Sequence, residues 1–136
     1  MRQIMKLVLG AAFLLVLSGP AFSLGGARDM DAPPPPDLSY PTREEIDLTA
    51  KDSLEFRWYV HDLMTVSYCE FKLYKGYVGQ DAELIISEKV TSPDHSFAVG
   101  VDRFQAGQVY TWTVRAISYE GWKSDTSSYS FKVVKK

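Results

Sequence analysis

From Gly107 to Ala116 the sequence reads Gly-Gln-Val-Tyr-Thr-Trp-Thr-Val-Arg-Ala. Tyr110, Trp112, Val114 and Ala116 are apolar or aromatic, while Thr111, Thr113 and Arg115 between them are polar. A helix would scatter the first set around its surface. A strand gathers it on one face, because successive side chains point to opposite sides. The stretch therefore reads as a β-strand with one buried face, and its three polar residues are expected to face water. Phe104 precedes Tyr110 by six residues, with Gly107 between them to turn the chain. That spacing lets a buried tyrosine aim its hydroxyl back at the connection it has just left.

The same period recurs along the chain. Leu54, Phe56, Trp58 and Val60 alternate with Glu55, Arg57 and Tyr59, and Cys69, Phe71 and Leu73 alternate with Glu70 and Lys72. Residues 84–90 form a further strand, Phe97, Val99 and Val101 another, and Tyr129, Phe131 and Val133 the last. Ahead of them, residues 38–40 and 46–48 make one first strand broken at Pro41, a residue tolerated only at an edge or a kink. Turns fall at Lys51-Asp52-Ser53, at Lys75-Gly76-Tyr77-Val78-Gly79, at Thr91-Ser92-Pro93-Asp94 and over residues 118–124. The loop over residues 61–67 is unusually apolar, with Leu63, Met64 and Val66. No helical period and no internal repeat interrupts the series. The expected fold is all-β: one domain, residues 37–136, built as a seven-stranded antiparallel β-sandwich of immunoglobulin-like type. Its core is expected to hold Trp58, Phe104, Tyr110, Trp112 and Phe131, enough at this size without a covalent staple. Cys69 is the only cysteine, so no internal disulfide forms, and it reads as a buried thiol rather than a link to another chain.

Before the sandwich stands a leader. Arg2 and Lys6 precede the apolar run of residues 7–17, Ser18-Gly19-Pro20 breaks it, and Ala21-Phe22-Ser23 offers small residues at a cleavage site. The run is too short for the ~20 residues that span a bilayer, so residues 1–23 read as a signal peptide, and no membrane span is expected after its removal. Residues 24–36, with Gly25, Gly26 and four consecutive prolines, read as a flexible tether rather than a docking motif. Losing residues 1–23 removes two basic residues and no acidic one, so net charge goes from −2 to −4. A mildly acidic chain without a basic run has no electrostatic footprint for nucleic acid. The mature protein is expected in the periplasm or outside the cell.

Trp58 in the second strand, Phe104 with Gly107 and Tyr110 leading into the sixth, Val114 and Ala116 after them, and Phe131 and Val133 in the last together resemble a fibronectin type III domain. The resemblance covers about residues 33–134 and implies two antiparallel sheets, one of three strands and one of four. Ala106 stands where that family often has proline, and Cys69 where an aromatic often opens the third strand. The loop between the last two strands reads Ser118-Tyr119-Glu120-Gly121-Trp122-Lys123-Ser124, without the Arg-Gly-Asp triplet of integrin-binding members, so no adhesion activity carries over.

Catalytic and metal chemistry find no footing in the pattern. His61 and His95 lie in separate loops without the three or four ligands a metal site needs. There is no Gly-x-Ser-x-Gly elbow and no glycine-rich phosphate loop. Glu44 and Glu45 are adjacent on an extended chain and point apart. No cofactor is expected. What remains is recognition, through loops or an edge strand, with Tyr119, Trp122 and Tyr77 as candidate binding residues. Trp122 is expected to fold back as a lid over the end of the core; if exposed, it joins the contact surface instead. The expected partner is a protein, with a polysaccharide stacked on those aromatics as the alternative. Oligomeric state is not encoded in any of these features. Intact-mass measurement of exported protein should show a chain starting at or near Leu24, and a mature form starting at Met1 would refute the leader reading.

Overall fold

Where the sequence alternates with period two, the chain forms strands. A computed structural model of the chain describes residues 32–136; the leader and the first part of the tether, through Asp31, lie outside the described residues. Eight strands follow in order: β1 (Asp37–Tyr40), β2 (Glu45–Asp47), β3 (Ser53–Tyr59), β4 (Val66–Lys75), β5 (Glu83–Thr91), β6 (Ser96–Gly100), β7 (Val109–Ser118) and β8 (Ser127–Val134). A 3-10 turn, Val101–Arg103, connects β6 to β7. One sheet has the order β1-β3-β6 and the other β2-β8-β7-β4-β5. The eighth strand arises from the broken first one. Its two halves join different sheets, β1 antiparallel to β3 and β2 parallel to β8, so the division is three and five. Pro41 sits at the crossing, and its carbonyl accepts the buried indole N–H of Trp112 at 3.1 Å. The unit begins at Pro33, with Pro33 and Pro36 buried, so the last prolines of the tether belong to the packed body.

The alternation of β3 sends Leu54, Phe56 and Trp58 inward, and Cys69, Phe71, Leu73, Tyr110, Trp112, Val114 and Phe131 answer from the facing sheet. Phe56 is the hub. Its ring centroid lies 5.1 Å from those of both Phe71 and Trp112, and Trp58 stacks on Phe71 at 6.0 Å. Each such side chain contributes roughly 1.5–3 kcal/mol by removal from water, and tilted or edge-on ring pairs add about 0.5–1.5 kcal/mol. All five expected core residues are buried. Cys69 is buried and unpaired. Burial pushes its thiol pKa up, and the neighbouring Trp58 indole acts the other way.

The polar face of β7 departs from expectation. Thr111 is only 2% exposed, and Thr113 is also buried. The strand lies in the middle of the five-stranded sheet, flanked on both sides, with Tyr74 and Lys72 of β4 opposite Thr111 and Thr113. Thr111 Oγ1 donates to the Gly76 carbonyl at 2.8 Å and lies 2.6 Å from Ser130 Oγ, so its burial leaves no orphaned hydroxyl. Arg115 bonds Glu70 through both Nε and Nη2 and is only partly exposed.

The connection before β7 behaves as the spacing predicts. Gly107 takes φ +79°, a value that penalises any side chain, and its N–H donates to Val133 O. The chain then returns so that Tyr110 meets Phe104 edge-on at 5.0 Å. The Gln105 N–H donates to Tyr110 Oη at 2.7 Å. Tyr110→Phe keeps the ring and orphans that N–H, so urea unfolding should show a loss of about 1–2 kcal/mol; unchanged stability would mean the hydroxyl does not hold the corner.

Candidate functional site

Antiparallel pairing decides which loops meet. Val66 at the start of β4 pairs with Ser118 at the end of β7, so the loop before β4 and the loop after β7 share one end of the sandwich. In the first loop, Thr65 and Val66 both donate backbone N–H groups to the Asp62 carbonyl, closing a tight turn. The turn directs Leu63 and Met64 outward; Met64 is 87% exposed. In the second, Ser118 N–H donates to Trp122 O, Gly121 N–H to Ser118 O, and Trp122 N–H to Ser118 Oγ. Gly121 supplies the positive φ of +93° that this reversal needs. Ser124 Oγ accepts the Ala116 N–H at 2.9 Å, fastening the base of the loop. The two loops are joined directly, Tyr119 N–H donating to Thr65 O at 3.1 Å.

The result is a fixed surface with Leu63, Met64, Tyr119 (70% exposed) and Trp122 (41% exposed) displayed on two cross-braced loops. Trp122 is thus no lid. In the other loop Leu63, 44% exposed, borders a crevice with Val60, Val66, Cys69 and Val90, and the Trp122 N–H donates to Oγ of buried Ser118. Exposed Asp62, Glu120 and Lys123 are interspersed in these loops. At the same end, His61 Nε2 lies 2.7 Å from Asp37 Oδ2, and Tyr59 meets the His61 ring edge-on, tying the start of β1 to the end of β3.

Tyr77 is elsewhere. Its turn follows Lys75, which pairs with Tyr110 at the opposite end of β7, roughly 26 Å from Ser118 at ~3.3 Å per residue. There it lines a cleft of about 370 Å³ with Glu44, Glu45, Val109, Ser130 and Lys132. The three candidate aromatics therefore form no single platform. Strand parity in the sequence holds that answer, since turns after the third and the sixth antiparallel strands fall at opposite ends. The sequence marks Leu63 and Met64 only as apolar; three apolar side chains in so short a loop are the signal that they are displayed. His95 is exposed, with Nδ1 2.9 Å from Pro93 O. Among the described residues no three His, Cys, Asp or Glu side chains gather, and no helix is long and apolar enough to cross a membrane.

No protein-family model matches the chain, and no curated protein sequence does. Solved structures do. The third fibronectin III domain of the human KIAA0343 protein superposes with a TM-score of 0.54 at 14% identity, over 87% of this chain and 95% of that one. Fibronectin(III)-like modules of Clostridium thermocellum CbhA give 0.52 at 16% identity, over 74% and 97%. Murine CRIg gives 0.50 at 16% identity, over 74% and 98%. The chain also spans 13% of a β-1,2-glucanase from Parabacteroides distasonis, at a TM-score of 0.48 too loose to bear on its chemistry. At these identities the likeness establishes the fold, a sandwich of the fibronectin type III and immunoglobulin-like kind.

The loop geometry separates display from support. Tyr119→Ala should leave stability within about 0.5 kcal/mol, whereas Ser124→Ala, which strips the buried Ala116 N–H of its acceptor, should cost about 1–3 kcal/mol in urea. The reverse ranking would place Tyr119 in the core.

Proposed function

We propose that this protein is an exported, non-catalytic interaction module that binds a protein partner through the loop end of its sandwich. The observation that carries the reading is the pair of hydrogen-bonded loops presenting Leu63, Met64, Tyr119 and Trp122 together. Exposed apolar and aromatic side chains on a braced frame lose little conformational freedom on binding, and such residues dominate the energetics of interfaces. The leader of residues 1–23 supports export to the periplasm or beyond. His61 and Asp37 resemble a base and its orienting acid, and among the described residues no hydroxyl or thiol bonds the ring. The polysaccharide reading draws less support, because Tyr77 stands away from Tyr119 and Trp122.

The test is affinity capture from the exported fraction, followed by titration of the captured protein. Replacing both Tyr119 and Trp122 by alanine should weaken binding by about 2 kcal/mol or more with the fold intact. Unchanged affinity, or binding transferred to a polysaccharide gel, would refute the proposal.

A further inference from the structure

Four strands lie at sheet edges, and three of them are blunted. β2 has three residues, β1 has four and runs into Pro41, and β6 has five and follows Pro93. Short strands and prolines are ways of denying a foreign chain a template. β5 differs: it runs nine residues without proline or glycine. Its first half is guarded by a bulge, because Leu84 pairs with Tyr74 and Ile86 with Leu73, leaving Ile85 extra. Arg103 Nη2 also reaches the Ile85 carbonyl, at 3.5 Å. Residues 87–91 keep unbroken register with β4, and among the described residues no strand pairs with their other side.

Beside this bare edge runs a groove of about 390 Å³ between β5 and β6, lined by Ile85, Ile86, Glu88, Phe97, Val99 and Arg103. Residues opposite each other in an antiparallel pair share a face. Glu88 pairs with buried Phe71 and so lies on the groove side, while Lys89 pairs with Glu70 on the outer face. Lys89 Nζ stands 4.4 Å from the Tyr68 ring centroid. Glu70 is already engaged by Arg115, and neither Glu88 nor Lys89 has an ion-pair partner among the described residues.

We propose that residues 87–91 take up an extended segment of a partner protein as a sixth strand of the five-stranded sheet. The surface runs along the flank of the sandwich and is separate from Tyr119 and Trp122. Backbone pairing supplies the affinity, and the two unmatched charges set the choice of strand. The incoming segment alternates, with apolar residues and a basic one toward the groove and Glu88, and an acidic one toward Lys89. A second copy of this chain is the wrong occupant. Antiparallel self-pairing of residues 87–91 centres on Lys89 and sets it against its own counterpart, a like-charge pair that disfavours the register. Registers centred further back run into the bulge.

A blocked heptapeptide, Thr-Val-Glu-Lys-Thr-Val-Thr, titrated into the 15N-labelled protein provides the test. Saturable amide shifts are expected along β5 and β6. N-methylation of alternate peptide residues should abolish binding in one phase and spare it in the other, since alternate amides of a strand point to opposite sides. Lys89→Glu should weaken binding at least tenfold, and exchanging the peptide's Glu for Lys should restore it. Absence of saturable binding at millimolar peptide, shifts at the loop end instead, equal behaviour of the two N-methylated phases, or dimerisation through β5 would each overturn the proposal.

Discussion

Everything in this fold depends on the contact between rings of opposite sheets. Phe56 from the three-stranded sheet meets Phe71 and Trp112 from the five-stranded one, with Trp58 stacked on Phe71 and Phe97 at 5.1 Å from it. The chain has a single cysteine, so nothing covalent holds the layers. Two thin sheets without a bridge stay together only if the apolar surface between them is large, and aromatic rings supply the most area per residue.

The two buried tryptophans of the layer are treated differently. Trp112 delivers its N–H to the Pro41 carbonyl, a bond between residues far apart in sequence that fixes where the first strand changes sheets. Trp58 has no such partner; its buried Nε1 is unsatisfied, with only the weakly accepting Cys69 sulfur beside it. An orphaned N–H costs about 1–3 kcal/mol, which the burial of the indole offsets. Burial in the same layer raises the Cys69 thiol pKa, against the opposing effect of the Trp58 indole.

Local rules made most of this legible in the sequence. Alternation located the strands because each is half buried, and the Phe104, Gly107, Tyr110 spacing located the corner because it closes within one short segment. What escaped depends on distant pairing. The split of the first strand needs β8 and Trp112, and the burial of Thr111 and Thr113 needs the strands on either side. At the candidate site, Tyr119 and Trp122 were legible as loop aromatics, but their joining to Leu63 and Met64 rests on the Tyr119–Thr65 backbone bond, which no local pattern encodes. The open edge of β5 likewise becomes visible only once every strand has its neighbours.

Binding by loops or by an edge requires that both be held still by a core strong enough to do so unaided. The direct test is Trp58→Ala against the exposed control Lys51→Ala, each followed by urea unfolding. Removal of the indole should cost about 3–5 kcal/mol, enough to unfold much of a domain of ordinary stability. A midpoint shift no larger than that of Lys51→Ala would contradict the claim that the aromatic layer holds the sheets together.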